Sequence, residues 1–174
     1  RVFHLEELKM SGRIGARLAV DGAGYVTGRE FQDFDAGVEL RRARLYAKGD
    51  CLLILPVSYE LEVGYVPEEF YIENSYLSLA NIPWIGERKG GQFHAPMSLE
   101  MITSSRDITF MERPAPIEAL APGVSAGIQI GRPVLDQRAT WRFGLFTDGV
   151  GQDDGDASRD YGRAIMRFTA LPLF

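Results

Sequence analysis

Arginine supplies nearly all the positive charge of this chain: Lys and Arg together number 19, and only Lys9, Lys48 and Lys89 are lysine. A guanidinium stays charged at any physiological pH and presents a planar fork of donors that matches oxyanions. A genome-wide compositional bias produces the same excess, so the fork chemistry permits an anion-handling role without requiring one. Many arginines recur at spacings of two or four, as in Arg13 and Arg17, Arg42 and Arg44, and Arg163 and Arg167. On an extended strand those spacings place side chains on one face.

Bond-making chemistry lacks its usual groups. There is no HExxH, GxSxG, P-loop or CxxC pattern, so no catalytic residue is assigned and the chain reads as a non-enzyme. Cys51 stands alone, and His4 and His94 are too far apart in sequence for a zinc pattern. Asp153, Asp154 and Asp156 suggest calcium but lack the EF-hand spacing and its closing glutamate. No metal or cofactor is therefore expected. The net charge of −5 argues against a nucleic-acid partner.

The elements that would position the arginines are strands. Hydrophobic residues make up 45% of the 174-residue chain and charged residues 25%, which suits a folded domain. Alternation is the dominant pattern. Ile14, Ala16, Leu18 and Val20 oppose Arg13, Gly15, Arg17 and Ala19. Val57, Tyr59, Leu61, Val63 and Tyr65 oppose Ser58, Glu60, Glu62 and Gly64. The same period runs through Arg41–Lys48, Trp141–Leu145 and Arg163–Ala170. Tyr71–Ala80, Ile85–Phe93 and Ser125–Val134 complete about eight strands. Gly22–Asp35, Pro67–Phe70 and the acidic Asp148–Asp160 read as connections. Met97–Gly123 does not alternate, contains Pro114, Pro116 and Pro122, and holds a short helical turn near Ser98–Ile102. A connection that long is usually functional. No repeat and no domain boundary is visible.

Period-2 alternation fits two architectures. In a soluble β-sandwich, the apolar faces meet each other. In a membrane barrel they face lipid, the polar faces line the lumen, and aromatics such as Tyr59, Tyr65, Trp141 and Phe168 sit at the interfaces. No apolar run approaches a membrane helix, which says nothing about strands. Pattern alone leaves both open.

A longer match goes further. GGQFHAPMSLEMITSSRDITFMER (Gly90–Arg113) resembles the signature of the phosphate-selective porin O and P family. LRRARLYAKG (Leu40–Gly49) resembles its arginine-rich strand, and ENSYLSL (Glu73–Leu79) a later one. ALAPGVSAGIQI, TWRFGLFTDG and GRAIMRFTALP follow in order, so the resemblance spans Gly12–Phe174. It implies an all-β, antiparallel transmembrane β-barrel of sixteen strands. It implies a homotrimer embedded in the lipid of a Gram-negative outer membrane, and passive diffusion of small anions, phosphate or polyphosphate above all. About eight strands would then be half a barrel, and the chain a fragment of one barrel domain.

The resemblance also assigns residues. It implies that Met97–Gly123 folds inward as a constriction loop, with Arg41 and Arg42 on the strand and Ser104, Ser105 and Arg113 on the loop meeting the solute. Parity supports Arg42 and places Arg41 on the apolar face. Arg44 shares Arg42's parity, and cross-strand pairing with Glu60 or Glu62 is its alternative role. Ser104 and Ser105 are equally suited to capping the turn SSRD, and Arg113 to pairing with Glu100. Arg13, Arg17, Arg142, Arg163 and Arg167 are wall candidates from parity alone. Met101 and Asn74 stand where some members carry lysine and aspartate. That leaves a non-selective or structural barrel of the same family as the alternative function, with a soluble β-sandwich module behind it.

Overall fold

Alternating segments become hydrogen-bonded strands longer than their patterns. The computed structural model describes residues 2–5, 9–24, 37–52, 54–67, 69–110, 112–149 and 162–171. The described residues form β1 (Val2–Leu5), β2 (Met10–Ala23), β3 (Gly37–Leu52), β4 (Pro56–Val66), β5 (Glu69–Ile82), β6 (Gly86–His94), β7 (Val124–Val134), β8 (Ala139–Asp148) and β9 (Arg163–Ala170). They make one sheet whose order is the order of the chain, each strand antiparallel to the next. The eight expected segments are β2 to β9. The ninth strand, β1, has four residues, too few to show a period. The sheet is not closed: β1 and β9 each pair along one edge.

Several strands are long enough to cross a bilayer. A tilted barrel strand needs roughly 9–11 residues. β2, β3 and β5 have 14, 16 and 14, and β4 has 11. The faces then separate as a membrane barrel requires. Leu18 is 68% exposed, Leu45 66%, Ile128 64% and Met166 72%, all on the apolar parity. A sandwich would cover these side chains with a second sheet. Among the described residues there is one sheet only, so the sandwich expectation is corrected. An open apolar band of this kind is what a membrane barrel turns toward lipid.

Glycine and tyrosine fit together across the strands. Gly15 lies opposite Tyr46, and Gly64 opposite Tyr71. A Cβ on Gly15 would stand 2.4 Å from the Tyr46 hydroxyl, and one on Gly64 2.2 Å from the Tyr71 ring. Each ring lies across bare backbone of the neighbouring strand, and only glycine leaves that room.

Two bulges break the alternation where charge matters. Ala19 pairs with Arg42 but Val20 with Leu40, so Arg41 is an extra residue in β3. Glu62 pairs with Asn74 but Val63 with Ile72, so Glu73 is an extra residue in β5. A bulge lets two consecutive side chains share a face.

Short turns join the strands at one rim, for example between Ile82 and Gly86 and between Val134 and Ala139. The other rim carries the longer connections together with the tight β4–β5 turn. The expected Pro67–Phe70 connection is tighter, since β5 already begins at Glu69. Most of Gly22–Asp35 and of Asp148–Asp160, with Asp153, Asp154 and Asp156, lies outside the described residues. Between β6 and β7 the chain forms α1 (Leu99–Ile102), at the expected turn, and α2 (Ala115–Leu120). Both helices are far too short to cross a membrane.

Candidate functional site

Charged residues on the polar parity of β2 to β8, together with the β6–β7 loop, line a cleft of about 640 Å³. The loop starts and ends on neighbouring strands, and the Ala95 N–H donates to the Gly123 carbonyl at 3.3 Å. Its first residues pack against a small apolar core. Ala95 is fully buried with Phe93 and Phe146, and Tyr76 and Ile165 pack alongside. The Phe93 and Phe146 rings meet edge to face at 5.5 Å. Ile165, placed by parity among luminal arginines, belongs to this cluster. The inner face is therefore partly dry beneath the loop, against the simple expectation of a uniformly wet face.

Arg113 organises the loop. Its guanidinium donates to the carbonyls of Glu100 at 3.0 Å, Met101 at 3.3 Å and Thr103 at 2.8 Å, and lies 4.0 Å from the Glu118 carboxylate. Carbonyls at the end of a short helix lack intrahelical partners, and a cation there satisfies several at once. The expected alternative partner, Glu100, is met through its backbone oxygen. Met101 is 4% exposed and packs away from the cleft, which Ile102 lines instead.

The two serines differ in role. Ser104 Oγ accepts from the Arg106 N–H at 3.3 Å and from Arg106 Nε at 3.4 Å, a local turn contact. Ser105 Oγ accepts from Arg17 Nη1 of β2 at 2.9 Å. Arg42, Arg44 and Arg106 are all close enough to Arg17 to repel its charge. Among the described residues, Arg17, Arg42 and Arg106 have no carboxylate within ion-pair distance, and all three line the cleft. A second basic group lies on β6 to β9. Lys89 and Arg142 line the cleft, and Arg167 pairs directly across from Arg142. Lys89 Nζ sits 3.4 Å above the Tyr76 ring and 4.5 Å from Phe93, a cation–π cage.

Other arginines are paired. Arg44 lies 2.9 Å from Glu73 and 3.5 Å from Glu62, with the Tyr71 ring at 5.9 Å. Of the two partners weighed for it, Glu62 is present, while Glu60 lies 3.9 Å from Lys48 and accepts from Tyr76 at 2.7 Å. Arg41 is not on the lipid side as parity placed it. The β3 bulge brings it to Asp21 at 3.2 Å and to Glu112 of the loop. Arg163 pairs with Asp148, and Arg13 lies exposed beside Lys48 toward the short-turn rim. Arg41, Arg13, Arg163 and Arg167 are not in the lining of the main cleft. Asn74 lines it and donates to Glu62 at 3.3 Å.

Among the lining residues that the sequence reading did not assign to the site are Arg106, Lys89, Glu73 and Gln129. Lys89 shares polar parity with Glu87 on β6, and Arg106 sits inside the quoted loop motif, so both carried a signal. Glu73 carried none, because strict alternation from Leu77 sends it to the lipid side.

Inward cations, an apolar outer band and a loop tied to the wall are what a porin requires. Residues 13–169 match the family described as phosphate-selective porin O and P. The chain belongs to that family. Phosphate-selective porins are outer-membrane channels, not a class of enzymes. No curated protein and no solved structure matches the chain.

Proposed function

We propose that this phosphate-selective porin conducts small anions passively across a Gram-negative outer membrane, with phosphate or polyphosphate favoured. The reading includes a homotrimeric assembly and a β6–β7 loop, Met97–Gly123, that constricts the lumen. One observation carries it: Arg17, Arg42 and Arg106 line the cleft beside Ser104 and Ser105, and among the described residues none of the three has a carboxylate within ion-pair distance. Unpaired guanidiniums keep their donors for a passing oxyanion. The Ser104 hydroxyl adds a further polar contact beside them, so the shell is multi-site and therefore reversible. Arg142 and Lys89 extend the positive wall toward the short-turn rim. Arg41 and Arg113 act in this reading by holding the loop in place.

Glu60, Glu62 and Glu73 line the same cleft and favour a second reading, a general diffusion channel of the same family with weak selectivity. Reversal potentials of the full-length protein in planar bilayers under a chloride gradient, with inorganic phosphate added as blocker, separate the two. The selective reading expects anion preference and phosphate block. It also expects Arg42→Gln to weaken that block about tenfold, the effect of losing one charge-assisted contact of ~1.4 kcal/mol. Cation preference without phosphate block would sink it.

A further inference from the structure

Arg44 has the parity of a solute-binding arginine, yet its charge is already engaged. Its Nη1 lies 2.9 Å from Glu73 Oε1 and 3.5 Å from Glu62 Oε1. The Arg44 side chain is 11% exposed, Glu73 13% and Glu62 16%. His94 Nε2 approaches the same Glu73 oxygen at 3.5 Å, and Asn74 donates to Glu62 at 3.3 Å. Two carboxylates share one guanidinium, so Arg44, Glu62 and Glu73 together carry one net negative charge.

The triad stands next to the unpaired cations. Arg44 is the direct cross-strand neighbour of Arg17, and Arg42 lies two residues along β3. A negative triad at that point opposes the field that draws anions in, because it lies within a few ångströms of Arg17, well inside a Debye length. The residue that tips its sign is Glu73. Glu62 follows the strand period, but Glu73 is the extra residue of the β5 bulge and faces the lumen only because of it.

The geometry points to Glu73 as a specificity-determining residue of the channel: it holds Arg44 out of contact with solute and sets the anion preference lower than the arginine count suggests. This rests on the anion-channel reading above. Glu73 need not touch the solute, since it acts through Arg44 and through the local field.

The test uses the full-length protein in planar bilayers. Reversal potentials in a potassium chloride gradient and block by inorganic phosphate are measured for wild type, Glu73→Gln, Glu73→Asp and Arg44→Met. Glu73→Gln leaves the triad neutral. It is expected to raise the anion-to-cation permeability ratio roughly two- to fivefold and to strengthen phosphate block. Glu73→Asp keeps the charge and is expected to stay near wild type, which separates charge from shape. Arg44→Met leaves two uncompensated carboxylates and is expected to shift preference toward cations. An anion-selective wild type whose ratio is unmoved by Glu73→Gln overturns this inference alone. A wild type without anion preference overturns the channel reading instead. If Glu73→Gln fails to insert, Arg44→Met decides, and an unchanged ratio there overturns the proposal.

Discussion

Arg17 of β2 donates a hydrogen bond of 2.9 Å to the Ser105 hydroxyl of the β6–β7 loop, joining residues 88 positions apart. It is a direct side-chain bond between the wall and the loop tip, in a cleft where neighbouring guanidiniums repel each other. Ser105→Ala removes one hydrogen bond of about 1 kcal/mol and leaves the wall charge intact. The expected result is a noisier open channel with unchanged ion preference, read in single-channel current records. A quiet channel with altered preference would show that Ser105 contacts solute rather than tethering the loop.

Arg113 satisfies three carbonyls around α1 from within the loop. Arg113→Ala should loosen the loop, since each hydrogen bond from a charged group contributes roughly 1.5–3 kcal/mol. Hydrogen exchange across Leu99–Ile102 should accelerate while the strand amides stay protected. Unchanged exchange in α1 would mean that burial of Met101 and Ala95 holds the loop without Arg113.

Tyr71 lies over Gly64, where a Cβ would meet its ring at 2.2 Å. Gly64→Val must displace the ring that flanks Arg44, at about 1–3 kcal/mol of lost stability. At Gly123 a Cβ meets nothing within 4 Å, so Gly123→Ala should shift stability by less than about 0.5 kcal/mol. Urea unfolding from lipid vesicles measures both, and equal effects would refute the close-packing account.

Leu45 lies at mid-strand in β3, on the open apolar face. Leu45→Arg should destabilise insertion by roughly 2–4 kcal/mol if the residue meets the bilayer midplane. Asn74→Arg, on the inner face beside Glu62, should be tolerated far better. Folding yields into vesicles compare the two. Equal tolerance would place Leu45 away from lipid.

Sequence alone determined strands β2 to β9 and the polar parity of Arg17, Arg42, Arg44 and Arg142. Both follow from a side-chain period of two. It also marked the loop, where the period stops. Only the tertiary structure decided which arginines have a carboxylate partner among the described residues. Pairing depends on distances between strands, so Arg44 met Glu62 and Glu73 while Arg42, two residues away, met neither. Only the structure revealed the two bulges: in the one-dimensional pattern Arg41 and Glu73 are charges at apolar-parity positions, and the hydrogen-bond ladder shows the extra residue that turns each inward. The arginines were legible as a row. Their division into a free set and a clamped set arises from cross-strand register, which two inserted residues shift.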